Sequence, residues 1–124
     1  MDHLVDITDV PALDVWGETV RARVVEGEQA SLALVELAPD AIVPEHHHVQ
    51  EQMGICIEGS ITFTIAGVTR TLGPGGTWRI PSDAVHDAVA GPGGAVVIDI
   101  FSPIRGDWAS LPRSAPGVPR WPRP

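Results

Sequence analysis

Short apolar runs, broken every few residues by glycine or proline, set the pattern of this chain. Ala30 to Leu37 reads as a strand, Ala41 to Pro44 as a short extended piece, and Gln50 to Glu58 as a strand that ends at Gly59. From Ser60 to Ala66 the residues alternate, with Ile61, Phe63 and Ile65 on one face and Thr62 and Thr64 on the other. That period of two belongs to a half-buried strand. Gly67 predicts a turn, after which Val68 to Leu72 returns. Gly73-Pro74-Gly75-Gly76 predicts a loop, Thr77 to Ile80 a strand stopped by Pro81, and Val85 to Ala90 another strand. Gly91-Pro92-Gly93-Gly94 predicts a second loop, followed by a last strand over Ala95 to Phe101. No stretch after residue 30 carries a helical period. Strands this short and this closely spaced predict a sandwich or barrel and not a βαβ sheet.

The two ends read differently. Before residue 30, Val10-Pro11 begins a turn or short helix, and Thr19 to Val25 reads as an edge strand. Residues 103–124 hold six prolines and four arginines, which excludes a central strand. That segment is either a strap over the barrel or disordered. The chain thus divides into an arm with an edge strand (1–29), an all-β barrel (30–102) and a Pro/Arg-rich tail (103–124).

A length of 124 residues suits one domain. With no tyrosine, the core must be built mostly from Val, Ile, Leu and Ala. A formal net charge of -8 repels a phosphate backbone, which argues against nucleic-acid partners. The longest apolar stretches, such as Gly94 to Ile98, fall far short of the ~20 residues a spanning helix needs. Met1-Asp2-His3 does not open like a signal peptide. The single cysteine, Cys56, excludes an internal disulfide and suits a reducing compartment. The expectation is a soluble, cytoplasmic protein.

The candidate chemistry lies in histidine. His46, His47 and His48 are consecutive, and in a strand side chains at i and i+2 share a face. His46 and His48 are therefore expected to converge, with His47 pointing away. Gln52 follows His48 at the same parity, and a barrel can bring His86 to the same place. Imidazole suits Zn, Fe, Ni, Mn or Cu-type ions. Three neutral imidazoles and a neutral amide oxygen would leave a divalent ion its full charge and open positions. The blander reading of a bare three-histidine run is a solvated turn.

Two segments carry a family resemblance. Residues 44–59 read PEHHHVQEQMGICIEG and residues 73–86 read GPGGTWRIPSDAVH. They resemble the two cupin motifs: His-x-His, then an acidic or amide ligand, then Gly; and Gly-x5-6-Pro-x4-His. Gln52 stands where cupins usually place Glu. Further on, Asp99-Ile100-Phe101-Ser102-Pro103-Ile104-Arg105 resembles the Asp-x-Phe-Ser-Pro-x-Arg signature of the small pectin-degradation cupins. The resemblance implies a double-stranded β-helix (jelly-roll) barrel, commonly dimeric. It implies one divalent transition metal (Ni, Zn, Fe or Mn) on His46, His48, Gln52 and His86. It also implies catalytic roles for Asp99 and Arg105, with Phe101 shaping the site. The activity implied is the opening of cyclic 4,5-unsaturated uronates to linear keto sugars, so the small-molecule partner would be a carboxylated sugar. The chain departs from that family where Ile55 and Cys56 replace its usual aromatic residue. Other cupins cyclise natural products, add dioxygen or bind ligands without turnover, and the fold does not choose among them.

Residue by residue, the pattern adds detail. Val97, Asp99 and Phe101 share one face of a strand, and Val96, Ile98 and Ile100 the other. A carboxylate in so apolar a strand is costly unless paired. It is either a structural salt bridge, with Arg79 or Arg105, or a proton shuttle beside a cation. Arg105 offers a fork that matches a carboxylate, or is an exposed tail residue. Cys56 reads as packing, and Trp78 as core or dimer contact. The glycine clusters at 73–76 and 91–94 read as turns and not as phosphate loops.

Overall fold

The computed structural model describes residues 2–114 and 119–123. Among these it holds eight strands, two short 3-10 turns and no α-helix. The strands are β1 (Leu13–Asp14), β2 (Val20–Glu26), β3 (Ser31–Leu37), β4 (Ile42–His46), β5 (Glu51–Ile65), β6 (Val68–Leu72), β7 (Thr77–Ile80) and β8 (His86–Ser102). All pair antiparallel in one sheet of order β1-β2-β3-β8-β5-β6, with β4 added to β8 and β7 to β5. No helix among the described residues is long and apolar enough to cross a membrane.

Two long bent strands turn this sheet into a barrel. β5 and β8 pair from Glu51↔Ser102 to Ile65↔His86, with register shifts between Cys56 and Glu58 and between Gly59 and Ile61. The first half of β5 and the last half of β8 pair with β7 and β3; their other halves pair with β6 and β4. Each long strand therefore passes from one sheet layer to the other through a bulged corner. The bulge also switches the inward parity. In β8 the inward residues are His86, Ala88 and Ala90 before the corner, and Ala95, Val97, Asp99 and Phe101 after it.

The sequence reading split each of these strands in two, at Gly59 and at Gly91–Gly94. The structure corrects this: the glycines sit inside continuous strands. A Cβ added at Gly59, where φ is +75°, would collide with the carbonyl of Gly94, also at φ +75°. Glycine at this corner lets two backbones touch and bend, which in a bare sequence looks the same as a loop.

The core follows the composition. Val20, Ala22, Ala33, Val35, Leu37, Ile61, Ile80, Ala90 and Val97 fill the interior, and Phe63 packs on Trp78 with ring centroids 4.6 Å apart. The N-terminal region joins the sheet. β2 pairs with β3 along its whole length, and β1 covers part of its other side. The described part of the tail is a strap: Ser114 N–H donates to the Ala12 carbonyl, and Arg120 donates to the carbonyls of Leu37 and Gly93. Arg123 pairs with Glu58 at 2.7 and 2.9 Å. Residues 115–118 and 124 of the predicted tail lie outside the described residues.

Candidate metal centre and active site

His46 closes β4, His86 opens β8, and the two are direct partners in the β4–β8 ladder. Their ring centroids are 4.2 Å apart, and His48 lies 4.9 Å from His86 and 5.5 Å from His46. One ligand atom from each of the three histidines falls within 4.8 Å of the others, so together they can hold a metal ion. His47 points outward and lies 3.5 Å from the Asp83 carboxylate. His47 and His48 lie past the end of β4 at His46 and before the bends at Val49 and Gln50.

Hydrogen bonds fix the histidine tautomers. The Nδ1 of His46 faces the Pro44 carbonyl at 2.6 Å, that of His48 the Gln50 carbonyl at 3.0 Å, and that of His86 the Ala84 carbonyl at 2.8 Å. A carbonyl only accepts, so each Nδ1 carries the hydrogen and each Nε2 keeps its lone pair. The Nε2 atoms of His48 and His86 are buried without a hydrogen-bond partner. Leaving such an atom bare costs about 1–3 kcal/mol each. A divalent ion would satisfy both, and outer carbonyls on Nδ1 are the usual orienting partners of metal-bound imidazole. Burial pushes all three histidines below their ordinary value, His86 to about 4. They are therefore neutral near pH 7, as ligation requires.

Beside the cluster lies a buried carboxylate. Asp99 sits on β8 opposite Gly54 of β5 and faces inward. Its Oδ1 accepts from Trp78 Nε1 at 2.8 Å and from Gln52 Nε2 at 3.0 Å. Burial lifts its pKa to about 6, against the opposing pull of these two bonds and of the Arg105 charge. The salt-bridge alternative for Asp99 fails among the described residues. Arg79 is exposed on β7, and Arg105 acts on Asp99 only through its field. Because Gln52 donates to Asp99, its amide oxygen is turned away from that carboxylate, on the side of His48, whose proton affinity Gln52 raises.

Arg105 follows Ile104 out of the barrel, and its backbone N–H donates to Ser31 Oγ at 3.0 Å. Its guanidinium lies over the rings of Phe101 and Trp108, 4.7 and 4.3 Å from their centroids. Nε and Nη2 donate to the two oxygens of Asp107 at 3.1 and 2.9 Å, which holds Asp107 below the usual carboxylate range. The Arg105 side chain is only 9% exposed, so it is not a free tail residue. Phe101 is buried, and its ring meets that of His48 at 5.8 Å.

A cavity of about 430 Å³ joins these groups. The four metal-ligand candidates, Asp99, Phe101 and Arg105 all line it. So do Val20, Val35, Leu37, Val43, Ile61 and Val97, which give it an aliphatic wall beside the polar cluster. Cys56 is core: burial raises its thiol, which lies against the carbonyls of Glu58 and Gly59.

Sequence reasoning missed three lining residues, Trp16, Trp108 and Asp107, and the partnership of Trp78 with Asp99. Trp16 and Trp108 come from the two ends of the chain, where no strand pattern points at the barrel. The one available signal was the pair of tryptophans beside acidic residues, Asp14 near Trp16 and Asp107 before Trp108.

Gly54 lets this arrangement form. A Cβ there would overlap Asp99 Oδ1 and the Trp78 indole nitrogen. Gly54→Ala should therefore break the Trp78–Asp99 bond and destabilise the fold by about 1–3 kcal/mol or more. A lowered urea midpoint with unchanged slope is the expected reading; an unchanged midpoint would contradict the packing described.

The comparison with known proteins agrees with the architecture. The cupin-domain family profile matches residues 33–101. The chain is 31% identical over 101 residues to the dimethylsulfoniopropionate lyase DddW of Ruegeria pomeroyi, covering 74% of this chain and 66% of the lyase. It is 27% identical over 104 residues to the pectin degradation protein KdgF of Dickeya dadantii, covering 82% of this chain and 94% of that protein. The solved structure of KdgF from a Halomonas species superimposes with a TM-score of 0.72 at 27% identity, over 86% of this chain and 94% of that one. With the profile spanning more than half of its length, the chain belongs to the cupin family.

Proposed function

We propose that the protein is a metal-dependent cupin enzyme that opens cyclic 4,5-unsaturated uronates to linear keto sugars. The observation that carries this reading is the buried Asp99, lifted to a pKa of about 6, in one cavity with the three-histidine cluster. Its support from relatives is the similarity to the KdgF proteins of Dickeya dadantii and Halomonas.

In this reading His46, His48, His86 and the amide oxygen of Gln52 hold one divalent transition ion, Ni, Zn, Fe or Mn. Bound there, such an ion supplies Lewis acidity toward substrate oxygens. Asp99 removes the proton of the anomeric hydroxyl as the bond from the anomeric carbon to the ring oxygen breaks. The ring oxygen leaves as an enolate, and Asp99 returns the same proton to its β-carbon, C4, to give the ketone, so the step is an isomerisation with no atom gained or lost. A group with pKa near 6 is suited to both halves of such a transfer. Arg105 holds the substrate carboxylate, and Phe101 backs Arg105 and walls the site. The aliphatic lining limits water around the reacting carbon.

Incubation of the metal-reloaded protein with unsaturated galacturonate is the direct test. The conjugated-alkene absorbance should decay much faster than in buffer, and equal rates would remove the substrate claim. A second reading draws on the aliphatic walls, which suit a less hydroxylated carboxylate. On this reading the protein is a lyase like its Ruegeria relative, and release of dimethyl sulfide from dimethylsulfoniopropionate by the same preparation would favour it.

The proposal includes a cytoplasmic homodimer. On the outer sheet face Leu32, Ile100 and Met53 stand opposite one another on β3, β8 and β5, each 41–44% exposed. A patch of that kind suits a second copy. A monomer mass by light scattering at assay concentration would remove this part.

A further inference from the structure

We infer that Asp107 is an internal stand-in for the substrate carboxylate, occupying the Arg105 fork until the substrate displaces it. This rests on the reading above that Arg105 is the carboxylate-binding group.

The two members of the Arg105–Asp107 pair are held very differently. The Arg105 side chain is 9% exposed, lies over two aromatic rings, and has its backbone tied to Ser31. Asp107 is 55% exposed and sits in the short 3-10 turn Gly106–Ser110. The cation is therefore fixed and the anion is the part that can leave, since half of the Asp107 side chain already meets water.

The geometry of the pair is the geometry of recognition. Asp107 takes Nε and Nη2 side-on, one oxygen to each. That is the planar, two-bond arrangement in which a guanidinium takes a free carboxylate. Both residues line the cavity that contains the metal-ligand candidates. Two carboxylates in one fork repel, so an entering carboxylate and Asp107 exclude each other. The exchange keeps the charge beside the aliphatic wall constant. An empty cavity never leaves the guanidinium bare, and a ligand without a carboxylate gains nothing by displacing Asp107. Asp107 thus sets specificity by competition.

A purely supporting role predicts the opposite sign. If Asp107 only held Arg105 in place, removing its charge would loosen the fork and weaken carboxylate binding. The test measures calorimetric affinity for saturated D-galacturonate and for its methyl ester. It compares the metal-loaded wild type with Asp107→Asn, Asp107→Glu and Arg105→Gln, each checked for folding by its thermal transition. The stand-in predicts that Asp107→Asn binds galacturonate roughly three- to tenfold more tightly. It predicts no change for the ester, and wild-type affinity in Asp107→Glu, where the competitor is restored. Equal or weaker galacturonate binding by Asp107→Asn, with binding lost in Arg105→Gln, overturns the stand-in and leaves the role of Arg105 intact. Galacturonate affinity that is the same in Arg105→Gln as in wild type overturns both.

Discussion

Asp99→Asn should lower turnover by roughly 10²–10⁴-fold while metal content stays at the wild-type level, because it removes the only proposed proton carrier. Asparagine is close to isosteric, and its carbonyl oxygen can still accept from Trp78 and Gln52, the two groups that bind Asp99 Oδ1. Cavity shape and the orientation of Gln52 should therefore persist. Turnover equal to the wild type would remove Asp99 from the chemistry.

The same variant has a stability signature that separates the charge from the catalysis. Asp99 has a folded pKa of about 6 against an ordinary 3.8. The folded protein thus keeps a proton that the unfolded chain releases. The stability tied to that proton is fully present below pH 3.8 and is lost as pH rises through 6. At neutral pH the buried charge costs about 3 kcal/mol relative to a neutral group. Asparagine carries no such cost. Asp99→Asn should therefore be more stable than wild type above pH 7, with the advantage shrinking toward pH 4. Urea unfolding of the metal-free proteins across that range gives the reading, and an advantage that grew on acidification would contradict the assigned environment of Asp99.

His86→Ala should strip the protein of metal and of all metal-dependent turnover. His86 sits between the other two imidazoles in the cluster, 4.2 Å from His46 and 4.9 Å from His48 by ring centroid. Losing an outer hydrogen-bond partner of a ligand costs about 10–100-fold in metal affinity, and losing the ligand itself should exceed that. Metal content after dialysis, measured beside His47→Ala, is the control that matters. His47 lies outward toward Asp83, so its removal should leave metal content unchanged. Loss of metal in His47→Ala, or retention in His86→Ala, would displace the site from the barrel interior.

The fold was legible from the chain because its signals are local. Alternation in Ser60 to Ala66 and Ala95 to Phe101, and the absence of a helical period, depend only on neighbouring residues. The ends of the strands were not legible. Gly59 and Gly94 look like turn residues, and only the contact between their backbones at the barrel corner makes them bulges within long strands. His46 closes its strand and His48 lies beyond it, so strand parity alone does not place His48.

The role of Gln52 shows the same division. From the sequence, its value lay in keeping a bound ion electrophilic. In the folded chain Gln52 also donates to Asp99. A glutamate there would set two carboxylates against each other, and the amide avoids that repulsion while donating to Asp99. The sequence by itself determined the all-β class, the aliphatic core, the inward face of Asp99 and Phe101, and a histidine set fit for a metal. All of these follow from residue type and from spacing along one strand. Only the tertiary structure decided that Trp78 crosses Gly54 to hold Asp99, that Arg105 rests over Phe101 and Trp108 in the grip of Asp107, and that the three imidazoles converge. Those contacts join residues far apart in the chain, and their geometry is set by how β4, β5 and β8 curve around one another.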